Sequence, residues 1–149
     1  MPTQRISAGG VVVHNEKLLL VHHIEENGAD YWVMPGGGIK GDEGIFKAAE
    51  REVWEETNLK VNAQKIAYVE DFIDNGKYVC KFWVHCRLEG GDPGIQNKEI
   101  KEAYLKDVGF FSKEVIQEMD IFPTILKSTF WQDLEAGFPT IQYLGFSRF

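Results

Sequence analysis

The chain has 149 residues, 44% hydrophobic and 26% charged, proportions of an ordinary globular domain that exclude disordered, collagen-like and coiled-coil architectures. A net charge of −7 argues against a nucleic-acid polymer or a membrane surface as partner, since both demand a basic footprint. Small anionic ligands stay open, because a bridging cation inverts the local field.

In chain order, residues 5–23 read as a hairpin: an apolar run at 10–13, a polar turn at 14–17 and a second run at 18–21. A short strand is expected at 31–34 and is stopped by Pro35. Gly36, Gly37, Gly38, Gly41 and Gly44 then place five of the 15 glycines within nine positions, which predicts a loop bent closely around something. The following run, IFKAAEREVWEETN, is rich in helix formers and predicts a helix over 45–57. Strands follow at 65–73 and 78–88, joined by DNGK, whose Asn-Gly pair favours a tight hairpin. The run EGGDPGIQNKE at 89–99 reads as a surface loop. Beyond it a strand at 108–111, a short helix at 113–119 and a helix at 124–135 are expected, the last from Leu126, Phe130 and Leu134 spaced by four. The pattern is one mixed α/β (α+β) domain over 1–149, without repeat or linker.

Cys80 and Cys86 lie on one predicted strand, KYVCKFWVHCRL, about 20 Å apart and too far to bridge. A reducing, cytoplasmic setting is therefore expected. The polar start MPTQRISAGG carries no secretion-signal pattern, and no apolar run is long enough to span a bilayer.

The helix at 45–57 carries the chemistry. Wound at about 100° per residue, it places Ile45, Ala48, Ala49 and Val53 on the inward stripe, and Glu52 and Glu56 fall inside that stripe. Glu55 lies at its edge, one turn after Arg51, which is within pairing reach. A solvated acidic helix end would instead predict glutamates on the outer face, and it puts negative charge at the helix C-terminus, where the dipole disfavours it; both details argue against it. Several oxygen donors facing inward suit a hard divalent cation such as Mg²⁺ or Mn²⁺.

Gly37, five residues, Glu43, seven residues and then REVWEETNL through Leu59 form a 23-residue stretch that resembles the signature of the Nudix hydrolases. That family cleaves nucleoside diphosphates linked to another group. The lead-in WVMPGGGI is similar as well, and the resemblance covers about residues 5–112. One position departs: Asn58 stands where the family usually has glycine, and asparagine tolerates the left-handed conformation of a helix C-cap.

The resemblance implies a mixed sheet sandwiched between helices, with Glu52, Glu55 and Glu56 as metal ligands and Glu43 assisting. Arg51 would orient Glu55 or Glu43. The proton acceptor for the attacking water is either Glu52 or an acid on a later loop, for which Glu99, with Glu102 behind it, is the candidate. Gly37 and Gly38 would let backbone approach the phosphates. Tyr31, Phe72 and Tyr78 are candidates for substrate contact beside a nucleobase, with core packing as the competing role. The implied partner is a small nucleotide-type diphosphate, with room for a homodimer. Family features that mark ADP-ribose or dinucleoside polyphosphate substrates are not matched at Asp74, Asn75 or Tyr78. Nucleoside triphosphates, including oxidised or noncanonical ones, are the default. A Nudix-like domain that binds a nucleotide without cleaving it is the alternative, as are ADP-ribose, sugar-nucleotide and dinucleoside polyphosphate hydrolases within the family.

Overall fold

A computed structural model describes residues 3–94 and 105–149. β1 (Gln4–His14) turns back into β2 (Lys17–Ile24) through Asn15 and Glu16, both at positive φ, as a two-residue hairpin turn requires. β3 (Asp30–Val33) precedes a short β4 (Gly36–Gly38), and the helix α1 spans Ile45–Thr57. β5 (Lys60–Asp74) and β6 (Lys77–Gly90) form the long hairpin closed by Asn75 and Gly76, again at positive φ. β7 (Leu105–Ser112), α2 (Lys113–Ile116), β8 (Ile121–Phe122), a 3₁₀ turn (Thr124–Lys127), α3 (Phe130–Glu135) and β9 (Gln142–Arg148) complete the chain.

The sheet is mixed. Its path runs β8-β3-β2-β1-β6-β5-β9, with β4 added to β1 and β7 to β2. The β1–β6, β3–β8 and β5–β9 pairs are parallel and the others antiparallel. Alternation along β1 and β2 sends side chains to two cores. Val12 and Leu19 join Ala48, Ala49 and Val53 under α1. Val11, Leu18 and Leu20 join Tyr68, Trp83, Leu126 and Phe130 on the opposite side. The sheet is thus sandwiched by helical segments, as expected.

Several expectations need correction. The glycine loop contains a strand: residues 36–38 pair with β1 in the register Ser7↔Gly38, Ala8↔Gly37, Gly9↔Gly36. The helix expected at 124–135 is two pieces separated by Ser128 at φ −120°, ψ −93°. Leu126 and Phe130 are both fully buried, so their four-residue spacing marks core positions without requiring a continuous helix. β5 begins at Lys60 and keeps pairing with β6 through register shifts, which hydrophobic alternation does not signal. β8 and β9 went unread because each is added as an edge strand by a distant partner.

α1 approaches β1 closely at Gly10, where a Cβ would lie 2.4 Å from Val53 Cγ2. The helix ends at Asn58, which adopts φ 64°, ψ 17° while its N–H donates to the Trp54 carbonyl. This is the left-handed cap that the sequence assigns to it.

Candidate active site

Packing α1 on β1 and β4 carries Glu52 and Glu56 inward, leaving them 7% and 5% exposed. Carboxylates are rarely buried so far without partners. Glu56 Oε1 accepts the Gly36 N–H at 2.9 Å. The Glu52 carboxyl lies against Gly37, where a Cβ would come within 2.7 Å of its carbon and both oxygens, so only glycine admits the acid there.

Arg51 gathers the remaining acids. Its Nε donates to Glu43 Oε2 at 2.9 Å, and its Nη1 donates to Glu52 Oε1 at 2.8 Å and Glu55 Oε2 at 3.1 Å. Its Nη2 reaches the Gly38 carbonyl at 3.0 Å. Glu43, on the turn between β4 and α1, also accepts the Lys40 N–H at 2.9 Å. The Arg51 hydrogen bonds hold the Glu43 carboxyl down at about 2, and the carboxylates push the Arg51 guanidinium above its already high value. Glu52 moves the other way: burial raises its carboxyl above the ordinary range, and this outweighs the Arg51 hydrogen bond.

Glu52, Glu55 and Glu56 line one wall of a cavity of about 590 Å³, whose floor is the strand Gly36, Gly37 and Gly38. Arg5 and Lys40 also line it. Sequence reading missed both: a lone cation at a strand start or in a loop has no periodic signature, and only the pairing of β1 with β4 carries Arg5 to the glycines. Lys81 was missed for the same reason, and its Nζ sits 4.2 Å over the Trp83 ring.

Tyr31, Phe72 and Tyr78 lie elsewhere, not among the described residues that line the cavity. Tyr31 donates its hydroxyl to Glu25 at 2.6 Å and packs on His23 and Phe122. Phe72 stands edge-on to Phe149, and Tyr78 donates to Asp71 at 2.7 Å. Glu99 and Glu102 lie outside the described residues.

The donors are all oxygen. With the side chains as they stand, no three acids among the described residues surround a common coordination point. Arg51 Nη1 bridges Glu52 and Glu55. One guanidinium set against four carboxylates leaves a net negative cluster, of which Glu52, Glu55 and Glu56 face the cavity, a charge and donor set that fits a hard divalent cation.

Comparison with known proteins places this mixed sheet, with its acid-lined helix beside a glycine strand, in a known family. A family model for the NUDIX domain matches residues 3–130, and the chain belongs to the Nudix family. A MutT-like protein from Streptomyces ambofaciens is 33% identical over 90 residues, covering 60% of this chain and 56% of that protein. The phosphatase NudJ of Escherichia coli K12 is 37% identical over 62 residues, 42% of this chain and 40% of NudJ. The chain thus spans about half the length of these curated relatives. A solved NUDIX hydrolase from Nitrosomonas europaea superposes with a TM-score of 0.75 at 18% identity, covering 97% of this chain and 81% of that one; this likeness shows the fold.

Proposed function

We propose that the chain is a divalent-metal-dependent pyrophosphohydrolase, served by Mg²⁺ with Mn²⁺ as substitute, acting on nucleoside triphosphates, including oxidised or noncanonical ones. The observation that carries this reading is the set of three carboxylates bonded to Arg51, two of which, Glu52 and Glu55, line a glycine-floored cavity together with Glu56. Glu52, Glu55 and Glu56 would hold the cation, with Glu43 assisting from its turn. A bound divalent cation supplies charge neutralisation of the diphosphate and acidification of the attacking water.

The chain's own residues do the rest. Arg51 keeps Glu52 and Glu55 in position and holds Glu43 ionised. Glu52, buried on the cavity wall, is the first candidate to take the proton from water as phosphorus is attacked. Glu99 is the second candidate for that task. Gly37 and Gly38 leave room for the Glu52 carboxyl and the Arg5 guanidinium against the cavity floor, where phosphate oxygens would approach the backbone. The cytoplasm is the proposed setting, consistent with the free thiols Cys80 and Cys86.

The test is product release from a panel of nucleoside triphosphates, ADP-ribose, sugar nucleotides and dinucleoside polyphosphates with Mg²⁺, comparing the wild type with Glu52→Gln. Turnover of triphosphates that collapses about 100-fold or more in the variant is expected. Silence across the panel while Mg²⁺ binds would overturn the hydrolase reading in favour of a binding domain.

A further inference from the structure

The three glycines of β4 separate two sets of charges. A Cβ built on Gly37 would meet the Glu52 carboxyl at 2.7 Å. Built on Gly38 it would meet the Arg5 guanidinium, at 2.7 Å from Nε and 3.0 Å from Nη2. Built on Gly36 it would come within 3.1 Å of Lys81 Cε, besides the backbone of Ala8 and Gly9. Successive residues of a strand face opposite sides, so Gly36 and Gly38 share one side and Gly37 has the other. The ribbon thus has the Glu52 carboxyl on its α1 side and the Arg5 guanidinium and the Lys81 stem on the other.

The two cations differ in their partners. Among the described residues, the Arg5 side chain makes no hydrogen bond or ion pair; Lys81 makes no ion pair, but Glu56, Glu70 and Glu52 attract its ammonium, which burial pulls below its ordinary value. The nearby carboxylates are engaged: Glu43, Glu52 and Glu55 by Arg51, Glu56 by the Gly36 N–H and Glu70 by Trp83 Nε1 at 2.6 Å. Arg5 is exposed but lies on the wall of the cavity, with its guanidinium over a residue that has no side chain. A guanidinium fork with free donors beside bare backbone is shaped for two oxygens of one phosphate.

We propose that Arg5, backed by Lys81, binds a phosphate of the substrate other than the one held at the carboxylate wall, and so selects polyphosphate chains over diphosphates capped by a sugar. A substrate laid across β4 meets both sides of the ribbon at once. The carboxylate side has to act through a cation, whereas the Arg5 side takes an anion directly. A third phosphate reaches the Arg5 side, and the neutral sugar of a sugar nucleotide gains nothing there.

This inference rests on the pyrophosphohydrolase reading, and two measurements separate them. The first is kcat and KM for a nucleoside triphosphate and for a UDP-sugar, with Mg²⁺, in the wild type, Arg5→Gln and Arg5→Lys. Expected in Arg5→Gln is a rise of about 10- to 100-fold in KM for the triphosphate and less than about threefold for the UDP-sugar, with Arg5→Lys between because it keeps charge but loses the fork. The melting temperature should stay within about 2 °C, since the Arg5 side chain makes no hydrogen bond among the described residues. The second is calorimetric binding of inorganic tripolyphosphate with Mg²⁺ to the wild type and Arg5→Gln, with Lys81→Gln expected to weaken it in the same direction. If the wild type hydrolyses nothing yet loses about tenfold or more in tripolyphosphate affinity on Arg5→Gln, the hydrolase reading falls and the anion site stands. Unchanged tripolyphosphate affinity in Arg5→Gln, or equal losses for both substrates, overturns the anion site.

Discussion

Replacing Arg51 with Met removes the one cation that holds three carboxylates together while keeping much of the side-chain volume. The Arg51 side chain is 22% exposed, and those of Glu43, Glu52 and Glu55 are 18%, 10% and 16% exposed. Exposed pairs contribute about 0–1 kcal/mol, whereas breaking a fully buried pair costs about 3–5 kcal/mol, so this half-buried cluster should lose about 2 kcal/mol in metal-free buffer. Unfolding entropy of about 2.1 cal/mol/K per residue gives about 0.3 kcal/mol/K for a chain of this length, and the loss lowers the melting temperature by about 6 °C. The effect is tied to pH. The Glu43 carboxyl, held at about 2 against an ordinary 4.5, stabilises the fold above pH 4.5, and this contribution disappears as pH falls toward 2. In the variant the uncompensated acids take up protons more readily than in the wild type, so acidification relieves their repulsion. The difference in melting temperature should therefore narrow between pH 7.5 and pH 4. Thermal unfolding followed by circular dichroism in EDTA at both values tests this. A difference below about 2 °C at pH 7.5, or one that widens on acidification, refutes the account of Arg51 as the organiser of the cluster.

Two further outcomes follow from the packing. Gly10→Ala drives a Cβ to 2.4 Å from Val53 Cγ2, a branched side chain with little room to turn, and should lower stability by about 1–3 kcal/mol; an unchanged urea midpoint would show that α1 can move away from β1 at little cost. The Cys86 thiol, 2% exposed and pushed up to about 12 by burial, should react with a disulfide reagent at pH 8 at least about tenfold more slowly in the native than in the urea-unfolded protein, and equal rates would contradict its placement beneath α1.

What was legible in the sequence follows from the range of the interactions involved. Residues 45–57 show their acid-bearing face because helical periodicity is local: each side chain's direction is set by its neighbours one turn away. The pairing of Arg51 with Glu55 and the left-handed cap at Asn58 are local for the same reason. The hairpin turns at Asn15 and at Asn75 were legible from two to four residues each. The break at Ser128 was not, because Leu126 and Phe130 reach one core whether or not the helix between them is continuous. β9 is added to the sheet by β5, about 70 residues earlier in the chain, and no pattern within 142–148 announces that partner.

The same division runs through the candidate site. Sequence alone determined which helix face carries the carboxylates and that glycines precede it, since both are matters of spacing along the chain. Tertiary structure decided what lies across from them. Parallel pairing of β1 with β6 sets Ser7 opposite Lys81, and antiparallel pairing of β1 with β4 ends beside Arg5, so cations from two distant segments meet the far side of the glycine ribbon. The burial that raises Glu52 likewise exists only once α1 is seated on the sheet. Strand register joins residues remote in sequence, and it is fixed by the packing of the whole sheet rather than by any segment of it.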